Sequence, residues 1–167
     1  LLAYFIHQNN QYLVQEFVPG VDLLKELETE GRFSEEKIWT ILFDLLPILQ
    51  FVHEHQVIHR DLKPENLIRR ESDRRLVLID FGGAKQIKSV SSSITGTTIG
   101  SQGFIPIEIL TEGQVFPSSD LYSLGVTCFN LLTQISPDKL FIKYGFSWIG
   151  KWRKALKSPI SDALAHV

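Results

Sequence analysis

The chain has 167 residues, 44% of them hydrophobic and 22% charged, with net charge −2 and mean hydropathy +0.03, a balance that can bury a core and excludes wholesale disorder. A chain this long buries about 68–70% of its unfolded surface without a disulfide or metal staple, and its single cysteine, Cys128, forms no internal bridge, which suits a reducing, cytoplasmic setting. The charge balance gives no global field for nucleic acid or an anionic membrane, and no apolar run reaches the ~18 residues of a membrane span.

Leu1 to His7 and Gln11 to Val18 are apolar, aromatic-rich runs separated by Gln8, Asn9 and Asn10, the pattern of a hairpin. Pro19 and Gly20 interrupt the strand. Asp22 is placed to cap a short helix to Glu30, closed by Gly31. Ser34, followed by Glu35 and Glu36, opens a second helix, and Ile38, Ile41, Leu42, Leu45, Leu49 and Val52 recur at helical spacing to near His55. Pro47 is expected to bend it. Val57–Ile58, Leu67–Ile68 and Leu76–Ile79 read as short strands framing polar loops, and Ser89–Thr98 as a serine- and threonine-rich loop. Asp120 to Leu132 is apolar on nearly every side, which predicts a central buried helix. Trp148, Ile149, Trp152, Leu156, Ile160 and Leu164 are expected on two further helical segments split by Pro159.

The most informative stretch is His59-Arg60-Asp61-Leu62-Lys63-Pro64-Glu65-Asn66, with Asp80-Phe81-Gly82 beginning 14 positions beyond Asn66. It places a carboxylate, an ammonium and a carboxamide on one loop and a second carboxylate on the next turn. Asn66 and Asp80 carry hard oxygen donors suited to Mg²⁺, which takes one or two protein ligands beside phosphate oxygens and water. Asp61 can accept a hydroxyl proton, and Lys63 can stand as a point charge against a transferring phosphoryl group. The chemistry implied is phosphoryl transfer to an alcohol.

These motifs resemble those of the eukaryotic-type serine/threonine protein kinases, in particular bacterial kinases of the cyanobacterial type, as judged from Phe116 to Leu140. The resemblance implies an α+β, mainly α fold: a kinase-like C-terminal lobe with the last strands of the N-terminal lobe. Residues 1–18 would be those strands and the hinge, and residues 19–167 an incomplete large lobe with catalytic loop 59–66, activation segment 80–108 and a central helix from Asp120. It implies ATP and Mg²⁺ as cofactors and a protein with a Ser/Thr acceptor as partner. Asp61 and Lys63 would be catalytic. Asn66 and Asp80 would hold the metal. Glu16, Val18, Asp22, Lys63, Asn66, Ile68 and Asp80 would contact nucleotide, with Gln15 at the gatekeeper position. Asp120 would hold the catalytic-loop backbone. Ser101 falls beside the catalytic pair and Glu108 on the glutamate of Ala-Pro-Glu, although the sequence there reads Pro-Ile-Glu. Arg60, Lys85, Thr97 and Ser101 would be regulatory, because an arginine beside the catalytic carboxylate can be neutralised by a phosphorylated activation segment, with Thr97 at the usual position.

Plainer readings stand beside these. His53, His55 and His59 have poor metal-ligand spacing, and His59 is read as a packed loop histidine. Cys128 is read as a small buried hydrophobe, and Trp39, Trp148 and Trp152 as packing groups. The octet could belong to a degenerate, inactive loop, to a kinase-like small-molecule phosphotransferase, or to a non-catalytic binding module. The sequence lacks methionine, a Gly-rich phosphate loop, the strand lysine and its helix glutamate, so it is expected to be a fragment that binds MgATP weakly and turns over negligibly. Glu108 has no partner assignable from sequence.

Overall fold

A computed structural model describes residues 2–81, 85–86 and 102–166. Strands β1 (Ala3–His7) and β2 (Asn10–Val14) form an antiparallel hairpin whose register pairs His7 with Asn10 and Ala3 with Val14. Gln8 and Asn9 both take positive φ, 48° and 63°, as a two-residue turn matched to strand twist requires. Phe5 and Tyr12 face each other across the hairpin with stacked rings 5.0 Å apart. The second strand stops at Val14, short of the expected Val18. In this register residues 15–18 run past the partner strand and so have no ladder to join.

The link to Pro19 is irregular, and Pro19 accepts a hydrogen bond from the Glu71 amide through its carbonyl (2.9 Å). Strand β3 (Gly20–Asp22) then pairs with β5 (Leu67–Arg70), which pairs with β6 (Leu76–Leu78) in a three-stranded antiparallel sheet. Gly20 is required here: a Cβ would strike the Arg69 carbonyl oxygen and the Ile68 side chain.

Helix α1 (Leu23–Glu30) is capped by Asp22, whose carboxylate accepts the Lys25 amide (2.9 Å), and closes at Gly31 with φ 81°. Helix α2 (Glu35–Glu54) is capped by Ser34 and runs on through Pro47. A short strand β4 (Val57–Ile58) pairs with β7 (Lys85–Gln86). A 3₁₀ turn, Gln102–Phe104, leads to α3 (Ile107–Glu112), α4 (Pro117–Thr133) and α5 (Pro137–Tyr144). The two further helical segments expected here are a 3₁₀ stretch, Gly145–Ala155, and the four-residue α6 (Asp162–Ala165). Gly145 and Gly150 weaken an α-helix there, and Pro159 separates the pieces.

Helix α4 is apolar around its circumference because it divides two cores. Leu124, Cys128 and Leu131 enter the larger one, with Leu23 and Leu27 of α1, Ile38, Ile41, Leu45 and Leu49 of α2, and Leu62, Leu67 and Leu78. Val126 and Phe129 enter a smaller one with Phe104 and Trp148, the rings of Phe129 and Trp148 lying 4.9 Å apart. Each fully buried leucine contributes on the order of 1.5–3 kcal/mol, so α4 is the spine against which both the sheet and the C-terminal segments are fixed.

Candidate active site

His59 to Asn66 leave β4 and cross the start of α4. Asp120, 0% exposed, accepts the backbone amides of His59 (2.9 Å) and Arg60 (2.8 Å) and the Nε2–H of His53 (2.8 Å). One carboxylate thereby joins α2, the loop and α4, which is the loop-holding role expected of Asp120. Arg60 is held at φ 72°, a conformation that costs a non-glycine residue roughly 1–2 kcal/mol. Thr127 donates to the Leu62 carbonyl (3.4 Å) one turn of loop later.

The chemical groups converge on Asp61. Its Oδ2 meets Lys63 Nζ at 2.8 Å and accepts from Asn66 Nδ2 at 2.9 Å, while the same Nδ2 donates to the Asp61 carbonyl at 2.7 Å. Since Asn66 spends its NH₂ on Asp61, its oxygen is the atom that chemistry offers to a hard cation.

The next turn is clamped to the loop through Ile79. Its amide donates to the Asn66 carbonyl (3.0 Å) and its own carbonyl accepts from His59 Nε2 (2.9 Å). His59 Nδ1 accepts the Asp61 amide (3.4 Å), which leaves Nε2 to donate to Ile79. Phe81 packs edge-on against the same ring at 4.7 Å. Asp80, at φ 62°, lies between Ile79 and Phe81, both of which contact the 59–66 loop.

Of the residues expected at the nucleotide, Asp22 and Ile68 are brought together as partners in the β3–β5 ladder. The Asp22 carboxylate also serves as the α1 cap and meets Lys25 Nζ at 3.3 Å. Glu16 and Val18 lie in the irregular link, Glu16 exposed and Val18 half-buried. Lys85 pairs with Ile58 through its backbone, at the entry to the loop. Gly82, Thr97 and Ser101, with the expected loop Ser89–Thr98, lie outside the described residues.

Three hydroxyls were not singled out from sequence: Ser119, Ser123 and Thr127, spaced four apart on one face of α4. Ser119 donates to Glu108 (2.9 Å), supplying the partner missing for that glutamate, and Ser123 donates to the Phe104 carbonyl (2.7 Å). A polar stripe at helical spacing in an otherwise apolar helix is the signal that would have found them. Next to Glu108, the Tyr122 phenol is pushed up to about 12 by burial and by that charge. Burial likewise pushes the Cys128 thiol up to about 12, as fits an inert core residue. Among the described residues no cluster of histidine, cysteine and carboxylate side chains forms a metal site, and His53 is engaged with Asp120. An apolar cavity of about 430 Å³ between α2, α4 and the C-terminal segments contains none of the catalytic-loop residues.

The protein kinase domain family matches residues 1–140. Serine/threonine-protein kinase B of Synechocystis sp. is 45% identical over 148 residues, 84% of this chain and 26% of that protein. Serine/threonine-protein kinase F of Synechocystis is 42% identical over 158 residues, 92% of this chain and 31% of that protein, and the kinase PknA of Nostoc sp. is 42% identical over 145 residues, 84% and 26%. The chain belongs to the protein kinase domain family. It spans about a quarter to a third of the length of these cyanobacterial relatives.

Proposed function

We propose that the protein carrying this chain transfers the γ-phosphoryl group of ATP to serine or threonine hydroxyls of proteins. Residues 1–18 act as the end of the small lobe and the hinge, and residues 19–167 as part of the large lobe. The observation that carries this reading is the Asp61 cluster, in which one carboxylate is held by Lys63 and by the Asn66 amide while Asp80 is clamped on the adjacent turn.

The donor set fits Mg²⁺: the Asn66 oxygen and the Asp80 carboxylate are hard ligands on neighbouring backbone segments. When bound, MgATP supplies the phosphoryl group together with cations that neutralise its charge. Asp61 orients the acceptor hydroxyl and takes its proton at Oδ. Lys63, 2.8 Å from that carboxylate, offers its ammonium to the transferring phosphoryl oxygens. The α1 cap and Ile68 border the nucleoside, with Glu16 and Val18 supplying hinge contacts. Arg60 supports a regulatory role: its Nε is buried without a hydrogen-bond partner among the described residues, ready for a phosphate within residues 89–101, with Thr97 the first candidate and Lys85 and Ser101 the further regulatory residues.

Phosphate transfer from radiolabelled ATP to casein by the protein carrying this chain, compared with Asp61→Asn, tests the reading. Transfer that falls on the order of 10²-fold or more in the variant is expected. Equal transfer by both proteins, or none by a folded wild type, would overturn it. Phosphosite mapping of active protein tests the regulatory part, which fails if residues 89–101 carry no phosphate.

A further inference from the structure

The charge of this chain is unevenly distributed. Residues 139–157 contain Lys139, Lys143, Lys151, Arg153, Lys154 and Lys157 and no acid, leaving 11 cations against all 19 acids elsewhere, a net charge of −8 for the remainder. All six side chains are exposed, and five of them ride on two elements packed against each other, α5 and the 3₁₀ stretch Gly145–Ala155, with Lys157 just beyond the second.

Both elements turn their apolar sides inward. Leu140, Trp148, Ile149 and Trp152 pack into the smaller core, so the cations occupy the outward sides. On α5, Lys139 and Lys143 stand one turn apart with Ile142 beside them, 78% exposed. Their spacing of about 6 Å along the axis is less than the Debye length of roughly 8 Å at physiological salt, so their fields add. The Lys143 ammonium lies 5.0 Å from the Tyr144 ring and the Arg153 guanidinium 5.4 Å from Trp152, which steadies two of the charges.

This face is tied to the catalytic scaffold. Asp138 at the start of α5 accepts the Gly103 amide (2.9 Å), and Gly103 packs so closely on Pro137 that a Cβ would collide with its carbonyl. Ser123 of α4 holds the Phe104 carbonyl, and the same helix holds the catalytic loop through Asp120. A partner seated on α5 would therefore be held in fixed relation to Asp61.

We propose that the outward face of α5 and residues 145–157 is a docking surface for an acidic segment of a protein partner, used to recruit substrates of the phosphoryl transfer proposed above. It rests on that reading for its purpose but not for the binding itself. A protein segment is favoured over a lipid surface because the apolar faces of both elements are spent on the core, leaving Ile142 and Tyr144 as the outward apolar groups, too little to insert into a bilayer. It is favoured over single-stranded nucleic acid because Trp148 is buried and Trp152 is half-buried with the Arg153 guanidinium over its ring, so neither ring is free to stack on bases.

The test is fluorescence anisotropy of the chain with a labelled glutamate-rich peptide, in the absence of ATP and Mg²⁺, alongside phosphatidylserine vesicles and a single-stranded oligonucleotide. Expected is peptide binding that weakens about tenfold or more as salt rises from low to several-fold above physiological, and about tenfold or more in Lys139→Glu/Lys143→Glu/Lys151→Glu/Lys154→Glu. Should circular dichroism show that variant unfolded, the double variant Lys151→Glu/Lys154→Glu replaces it, with a loss of about threefold or more expected. No peptide binding by a folded chain, binding unchanged by charge reversal, or tighter binding of vesicles or oligonucleotide than of peptide would each overturn the proposal. Asp61→Asn leaves peptide affinity unchanged, so loss of phosphate transfer and loss of docking are separate results.

Discussion

Replacing Asp120 with asparagine removes one oxygen from a group that has three donors aimed at it. In the wild-type protein Oδ1 takes the Arg60 amide and Oδ2 takes both the His59 amide and His53 Nε2–H. The asparagine oxygen can keep one side of this arrangement, but its NH₂ then faces a backbone or imidazole donor at hydrogen-bond distance with nothing to accept. An unsatisfied buried donor costs about 1–3 kcal/mol, and hydrogen bonds to a charged acceptor are worth about 1.5–3 kcal/mol. Arg60 also loses part of what holds it at positive φ. The expected loss is therefore about 2–4 kcal/mol, or a fall in Tm of about 4–16 °C for a chain of this size. Urea unfolding followed by circular dichroism reads the stability. Hydrogen exchange at the His59 and Arg60 amides reads whether the damage sits in the loop. A loss below about 1 kcal/mol, with both amides as protected as in the wild type, would refute the claim that this carboxylate holds the loop.

Other changes probe separate parts of the scaffold. Asn66→Ala removes the two hydrogen bonds that Asn66 gives Asp61, leaving the Lys63 contact, and is expected to lower stability by about 1–3 kcal/mol; an unchanged urea midpoint would show that those two bonds do not fix Asp61. Glu26 is buried with Arg69 Nε at 2.8 Å and Lys37 beside it; burial acts to raise its carboxyl, but those two cations outweigh it and hold it below the ordinary 4.5. Its contribution is thus complete above pH 4.5 and is lost as pH falls through the lowered folded value, so the stability gap between wild type and Glu26→Gln should narrow in acid, and a pH-independent gap would contradict the pairing. Leu45→Ala, at a site 0% exposed in the larger core, is expected to cost about 2–5 kcal/mol in urea titrations, whereas a cost below 1 kcal/mol would mean that α2 is not packed as described. The Cys128 thiol, raised to about 12, should react with iodoacetamide at neutral pH far more slowly than free cysteine, and equal rates would place it at the surface.

Much of the local architecture was legible because it depends on neighbours in sequence. Asp22 and Ser34 cap helices since their side chains reach the backbone amide three residues on, and the Ile38–Leu49 periodicity names the buried face of α2. The strand ending at Val14 was less legible, because pairing depends on where the partner strand lies rather than on the composition of Glu16 to Val18. The glycine-bearing stretch after Tyr144 was legible as helical but not as 3₁₀ for a related reason: apolar residues at near-helical spacing fit either winding, and the smaller core anchors only Trp148 firmly.

By itself, the sequence determined which chemical groups are present and their order: a carboxylate, a cation, a carboxamide and a second carboxylate at spacings that chance would rarely produce. It could not determine what holds them. His53, Asp120, Ser119 and Glu108 are separated from their partners by 11 to 67 positions, and a hydrogen bond over that range exists only once α4 has been buried between two cores. Tertiary structure also decided the fate of the surface. The six cations of residues 139–157 are left exposed while the apolar sides of two unlike elements are drawn into the same small core, an outcome set by burial of area that local spacing does not encode.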